Sequence, residues 1–433
     1  MFRTIANAWK TEDLRRKMIF TLFIILLYRI GANIPVPFVN ITEALDTSGG
    51  NILTYFSMMT GSAFNYGTLF ALGVTPYINS SIIIQLLGVA IPAIGRLEKE
   101  GEEGRKKIAT ITRYLTIGLA ILQSVAYYFY IKNTNSEYLA QVEGTGAAIF
   151  EAVVIVLCFT AGSALVMWLG EQINDRGIGN GISIILFAGI VSRIPTLIGS
   201  LWQYFVRGSV YYVLSPVVLV CFLLMIAFIV WMDNAERRLP IQYAKRVVGR
   251  KMYGGQSTHM PIKVNMSGVL PIIFASSILS ILTTIQMFVD VKEGSFWEKF
   301  FHVFSSDYWP YAIIYFVLII FFAYFYATIQ YNPVEMANNL RKNNGAIPGI
   351  RPGKPTSDYI GKIINRVTLL GALLISVVAL FPILFQLGTK AGGLDMQISM
   401  GGTSLIIVVG VALETVKQLE SQMMMRHYKG FLD

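Results

Sequence analysis

Long uncharged, apolar runs set the pattern of this chain. Stretches without Asp, Glu, Lys or Arg cover Tyr114–Ile131, Ala152–Gly170, Gly208–Met232, Val264–Val289, Tyr308–Val334, Val367–Thr389 and Met396–Leu413. A helix crossing hydrocarbon needs about 20 mainly apolar residues, so each run predicts a membrane span. Met18–Ile34 is a further span, interrupted only by Arg29 near its far end, where a long side chain can snorkel. Gly177–Ser192 is short and needs helix through Trp202 to complete it. Thr47–Gly95 is too long for one helix, and its second half, Thr68–Ile94, makes the span. The pattern predicts an all-α membrane protein of ten transmembrane helices. Ahead of them, Met1–Lys17 mixes Trp9 and Leu14 with Lys10, Glu12, Asp13, Arg15, Arg16 and Lys17. This prefix reads equally as a short amphipathic helix on the membrane surface or as a frayed basic tail. No small-residue cleavage pattern follows it, so it is not expected to be a cleaved signal.

Composition narrows the class. Hydrophobic residues make up 54% of the 433 and charged residues 14%, against about 25% charged in soluble domains. That excludes a disordered chain, a nucleic-acid module built on basic tails and most soluble enzymes. The net charge of +10 is explained by where the basic residues lie. Of 35 Lys and Arg, 27 fall in the N-terminal segment and in 95–110, 171–180, 233–267, 331–366 and 414–433, against 6 in the alternate loops. Cytoplasmic loops carry such an excess, so both termini are expected in the cytosol. The even span count allows two five-helix halves of inverted orientation, an arrangement that places a passage at their interface. The halves are 18–203 and 216–418, joined by a hinge at 204–215 and flanked by the segment 1–17 and the tail 419–433.

Two regions are irregular for a membrane. Asn51–Tyr66 is apolar but too short to cross, with Gly61 and Ser, Thr and Asn residues breaking it. It is either an interfacial loop, the reading favoured by residues alone, or a re-entrant segment closing a cavity, since non-spanning backbone at membrane depth needs protein or water around it. The following helix carries Thr75, Asn79, Ser80, Ser81 and Gln85, and Ile78, Ser81 and Gln85 share one face. Ordinary helix packing accounts for these. A polar seam that opens more easily than dense apolar packing is the sharper alternative, with Ser276, Ser277, Thr283 and Thr284 as its opposing edge.

Catalytic chemistry is not evident. Gly349–Lys354 approaches a phosphate loop, but the spacing is one residue short and Pro355 stands where Ser or Thr is needed. Gly177–Asn180 resembles an intramembrane protease motif with Asn180 in place of the carboxylate, and Ser183 has no histidine in any span to activate it. His259, His302 and His427 are scattered, Cys158 and Cys221 lie in apolar runs, and no cofactor or metal is expected. No span has a carboxylate, Lys or His near its middle; Glu151 and Glu414 lie near ends. That argues against an ion-coupled small-solute transporter, the runner-up reading, and the missing catalytic pairs argue against an intramembrane protease.

Several segments carry a specific resemblance. LYRIGANIPVP (Leu27–Pro37), FALGVTPYINSSIIIQLL (Phe70–Leu87) and MWLGEQINDRGIGNGISIILFAGI (Met167–Ile190) are similar to the SecY family, channel subunits of the bacterial protein translocase. So are IQYAKRVVGR (Ile241–Arg250), QSTHMPIKVNMSGVLPIIFASSIL (Gln256–Leu279), GAIPGIRPGKPT (Gly345–Thr356) and GGTSLIIVVG (Gly401–Gly410). The resemblance covers nearly the whole chain and is weakest in 132–147 and 291–309. It implies a ten-span clamshell around an hourglass passage for unfolded preproteins, in the bacterial cytoplasmic membrane. It implies a pore ring of Val74, Ile78, Ile182, Leu186, Ile273 and Ile407, with Val74 and Leu186 departing from isoleucine. It implies a plug over 51–66, including Asn51, Phe56, Met58, Gly61, Phe64 and Tyr66. A lateral gate follows at Ser80, Ser81, Gln85, Ser276 and Ser277, through which signal sequences and membrane helices enter the lipid bilayer. It further implies SecE and SecG as companions, and docking of the motor ATPase SecA or the ribosome on Arg246, Arg250 and Arg351.

Overall fold

The hydropathy pattern becomes a bundle of long helices, described in a computed structural model. Residues 2–41, 57, 60–61, 63–134, 138–140, 144–208, 210–243, 246–248, 251–253, 257–266, 268–288, 297, 300, 303, 308–391 and 401–429 are described. In chain order the helices are α1 (Phe2–Lys10), α2 (Glu12–Gly31), α3 (Thr75–Ala90), α4 (Pro92–Lys99), α5 (Glu102–Thr134), α6 (Thr145–Arg176), α7 (Gly181–Val191), α8 (Ile194–Arg207) and α9 (Tyr211–Asn234). Strands β1 (Glu236–Tyr243), β2 (Arg246–Val248), β3 (Lys251–Tyr253) and β4 (Ser257–Lys263) follow. The rest is α10 (Leu270–Phe288), α11 (Trp309–Gln330), α12 (Pro333–Lys342), β5 (Gly345–Ala346), α13 (Lys354–Ala391) and α14 (Gly402–Lys429).

Among the described residues, 7 helical stretches are long and apolar enough to cross a membrane: Glu102–Lys132, Thr145–Arg176, Gly181–Arg207, Tyr211–Asn234, Trp309–Lys342, Lys354–Lys390 and Gly402–Met424. The count of ten is finer than this. Helix α2 opens on a charged turn, α3 has only 16 residues, and the apolar stretch of α10 that qualifies, Leu270–Leu279, is short. Exposed apolar residues on α9, among them Leu219, Val220, Leu223 and Leu224, are what a lipid-facing helix carries, because no hydrophobic force drives them inward there.

The span expected from Gly177 through Trp202 is two helices. Pro195 sits in the first turn of α8, where its fixed φ suits a helix start but cannot continue α7. Helix α8 then runs to Arg207 and α9 begins at Tyr211, so the turn between them is shorter than the expected hinge 204–215. Aromatic pairs close that turn: Phe205 stacks on Tyr212 at 4.5 Å and Tyr204 on Tyr211 at 5.6 Å between centroids. At the chain start Phe2–Lys10 is helical, and Ala8 is fully buried in a small cluster with Leu14, Ile178 and Leu419, so α1 packs against the bundle.

The two longest basic loops fold onto each other. Strand β1 pairs antiparallel with β4, Leu239 opposite Met260, and with β5, Gln242 opposite Ala346, in the order β4-β1-β5. Leu239, Ile241 and Ile262 from this sheet share a buried core with Ala337 and Leu340 of α12 and with Ile360 and Ile364 of α13. Strands β2 and β3 form a separate ribbon. The sheet thus joins 233–267 to 331–366, and α13 runs unbroken from this unit into the membrane core, where Ile375 and Val378 are buried.

Close helix contacts rest on glycine. A Cβ at Gly162 of α6 would lie 1.9 Å from the carbonyl oxygen of Leu69, a backbone atom that cannot swing away. Gly162→Ala is expected to cost about 3 kcal/mol, the upper end for overpacking, read as a lower thermal unfolding midpoint in detergent. An unchanged midpoint would show that the contact yields.

Candidate functional site

The site is assembled around α7. Asn180, the residue before its first turn, accepts a hydrogen bond from the Ser183 backbone N–H, and Asn174 Oδ1 accepts one from Gly181 N–H at 2.7 Å. These satisfy donors that a helix start leaves open, so Asn180 is a cap where the sequence seemed to lack a carboxylate. The Ile178 N–H donates to Thr21 Oγ1 of α2 at 3.1 Å. A Cβ at Gly181 would lie 1.9 Å from the Gly170 carbonyl oxygen, so α7 leaves α6 at a backbone-to-backbone contact. The effect is to present Ile182 and Leu186, one turn apart, from a fixed platform.

All six residues of the expected ring are buried and belong to one contiguous apolar cluster. Val74 caps the start of α3, Ile78 lies one turn on, Ile182 and Leu186 lie on α7, Ile273 on α10 and Ile407 on α14. Four separate helices therefore contribute these aliphatic side chains to the bundle's main apolar core, alongside many other residues.

Of the expected plug, Asn51, Phe56 and Met58 lie outside the described residues. Gly61, Phe64 and Tyr66 are described, and so are Ser57 and Thr60. Ser57 is buried and its hydroxyl accepts a hydrogen bond from Arg193 Nη1 at 3.0 Å. Gly61 has φ +65°, and a Cβ there would meet Ser192 Oγ at 2.5 Å, Gly189 O at 2.6 Å and Arg29 Nη1 at 3.0 Å. Phe64 is buried against Tyr127, whose hydroxyl donates to the Phe64 carbonyl, while Tyr66 is half exposed. Ser57, Gly61 and Phe64 thus rest on the far end of α7, the end of α2 and an aromatic wall on α5.

Arg29 is only partly exposed. Its Nη1 is buried beside Gly61 and, like Arg193 Nε, has no hydrogen-bond partner among the described residues. Ionisable groups at membrane depth are costly and mark functional positions. Sequence reasoning counted Arg193 only as one outer-loop charge and missed Ser57 altogether; the break at Pro195 was the signal that Arg193 sits inside a helix junction.

The expected gate residues divide. Ser81 and Gln85 bond to each other on α3, Nε2 to Oγ at 3.4 Å. Ser80 turns elsewhere: its hydroxyl is 2.8 Å from Thr116 Oγ1 of α5. Ser276 donates to the Ile273 carbonyl at 3.0 Å, and Ser277 is buried. Both α3 and α10 pack on α5. Of the docking arginines, Arg246 lies in β2 opposite Tyr253, and Arg250 is outside the described residues. Arg351 is exposed on a tip between Gly349 (φ +79°) and Gly353 (φ +105°). Its carbonyl accepts from Thr356 Oγ1 at 2.8 Å. No group of His, Cys, Asp and Glu side chains suited to a metal occurs among the described residues.

Comparison with known proteins fits this arrangement. The profile of the SecY family matches residues 68–416. The protein translocase subunit SecY of Streptomyces coelicolor is 44% identical over 444 aligned positions, spanning 100% of both chains. A solved protein-conducting channel superposes with a TM-score of 0.65 at 18% identity, over 94% of this chain and 92% of that one. Sec61 in the canine ribosome–channel complex from the endoplasmic reticulum gives 0.61 at 17% identity, over 94% and 92%. These low-identity structures share the fold, and the full-length identity carries the kinship: this chain belongs to the SecY family of protein translocase subunits.

Proposed function

We propose that the chain is the central protein-conducting subunit of a bacterial translocase, a channel and not an enzyme. It passes unfolded secretory proteins across the cytoplasmic membrane and releases apolar helices sideways into lipid. The observation that supports this is that six aliphatic side chains from four helices are all buried in the bundle's main apolar core, near a non-spanning segment whose described residues bond Arg193 and Tyr127. An aliphatic collar offers water and ions no hydrogen-bond partners and dewets. It also makes no sequence-specific bonds to a passing peptide, so any unfolded segment can slide. Val74, Ile78, Ile182, Leu186, Ile273 and Ile407 form that collar, and 51–66 is the plug.

Helices α2, α3 and α10 complete ten spans in two inverted halves, with both termini cytosolic, as the distribution of Lys and Arg requires. Ser81 and Gln85 on α3 face Ser276 and Ser277 on α10 across the lateral gate, while Ser80 secures α3 to α5. The β-sheet unit and the Arg351 tip are the cytosolic platform for SecA or the ribosome, with SecE and SecG beside the bundle; the likeness to a ribosome-bound Sec61 supports the ribosome part. The test is transport. Vesicles containing the complete complex, given motor ATPase, ATP and an unfolded secretory precursor, should protect the precursor from added protease. Protection equal to that of empty vesicles would refute the reading.

A further inference from the structure

Residues 264–266 and 268–269 lie between the sheet unit and α10, and one side-chain pair secures this stretch. Asn265 Nδ2 donates to Asp233 Oδ1 at 2.6 Å, tying the start of α10 to the end of α9. Beside it, the Val264 N–H donates to the Ala235 carbonyl at 2.8 Å. The backbone there has no room to shift: a Cβ at Gly371 of α13 would lie 2.3 Å from the Val264 carbonyl oxygen. On the other flank, a Cβ at Gly410 of α14 would lie 3.1 Å from Val269 Cγ2 and 3.9 Å from Asp233 Oδ2. The pair therefore sits where α9, α10, α13 and α14 meet at the base of the sheet.

One helical turn deeper are two collar residues. Ile273 follows Val269 by four positions, and its N–H donates to the Val269 carbonyl at 3.2 Å. Ile407 precedes Gly410 by three, so each member of the Val269–Gly410 contact shares a helix face with a collar residue. We infer that Asn265 and Asp233 are positioning residues: their hydrogen bond fixes the lead-in to α10 against the end of α9 and the Gly410 face of α14, and so sets where Ile273 stands in the apolar core it shares with Ile407. The same bond passes displacements of the β1–β4 sheet to the collar. The inference rests on the channel reading for its consequence, but the joint itself does not.

The test uses the complete complex in lipid vesicles. A hydrogen bond to a charged partner, once removed, shifts an equilibrium by about tenfold. Asn265→Ala should therefore speed amide hydrogen exchange across Leu270–Leu279 by about tenfold, with exchange across β1 and β4 unchanged. Resting ion conductance should rise with it. Asp233→Asn keeps only a neutral acceptor and should speed exchange less than Asn265→Ala does; the exchanged pair, Asp233→Asn with Asn265→Asp, remakes a charged hydrogen bond with the roles reversed and should exchange as slowly as the parent. Unchanged exchange in Asn265→Ala would overturn the inference, as would loss of sheet and helix protection together without rescue by the exchanged pair. Faster exchange at Leu270–Leu279 with unaltered conductance would leave the joint standing and remove its link to the collar. A wild-type complex that imports no precursor would instead refute the channel reading.

Discussion

Exchanging both Val74 and Ile78 for glycine is expected to raise the ion conductance of the resting channel at least roughly tenfold in planar bilayers, because a dewetted constriction loses its barrier once wide enough to stay wet. Val74 precedes the first residue of α3, Ile78 lies one turn on, and both are buried in the same apolar core as the other four proposed collar residues. Truncation therefore widens one side of the collar over a full turn. The loss cannot be taken up by neighbours at no cost, since large-to-small changes in a packed core leave cavities worth about 2–5 kcal/mol for an aliphatic residue cut to alanine. Ile78→Leu and Val74→Ile, which keep the aliphatic surface, should leave conductance near that of the parent. Conductance unchanged in the double glycine variant would remove these residues from the barrier.

How much of this was legible in the sequence depends on whether the cause is local. The long apolar runs became α6, α9, α11 and α13 because residence in lipid acts on each segment's own hydropathy. The break at Ser192–Arg193 was also written locally, in Pro195, but an apolar run conceals such a break. The strands of 233–267 had a weak signal: in β1, Leu239 and Ile241 are buried on alternate positions. Their sheet is completed by β5, about a hundred residues later in the chain, and no local pattern announces such a partner.

The candidate site was legible only through kinship. Six aliphatic residues among so many look like core, and the pairs 74/78 and 182/186 share a face in any packed helix. Ser80 shows how much spacing leaves open: the face shared by Ile78, Ser81 and Gln85 does not include it, and its hydroxyl meets Thr116 on a neighbouring helix. Arg29 is a second case: its Nη1 lies beside Gly61, a neighbour that no local pattern announces. What the structure adds is how α7 is mounted: the Asn180 cap and the Gly170–Gly181 contact at its start, and the Arg193–Ser57 bond beyond its end.

Arg351→Glu is expected to abolish motor-driven export while the complex assembles normally. The loop that carries Arg351 is rigid for reasons independent of its side chain. Gly349 and Gly353 take positive φ values that other residues adopt at a cost. Ile347 is buried, and Thr356 Oγ1 ties off the Arg351 carbonyl at 2.8 Å. The guanidinium itself is exposed, so reversing its charge should change stability by no more than about 0.5 kcal/mol. Its effect on an anionic partner is larger, because an interface arginine at a hot spot contributes about 2 kcal/mol or more, a loss of roughly 30-fold in affinity, and glutamate adds repulsion. The platform beneath it is shared by both basic loops, so the partner meets one surface and cannot compensate through an independent second loop. Export should fall with motor affinity, measured by vesicle co-sedimentation, while the thermal midpoint and the ion conductance of the resting channel stay those of the parent. Normal export by the glutamate variant would refute docking at this tip, whatever the collar does.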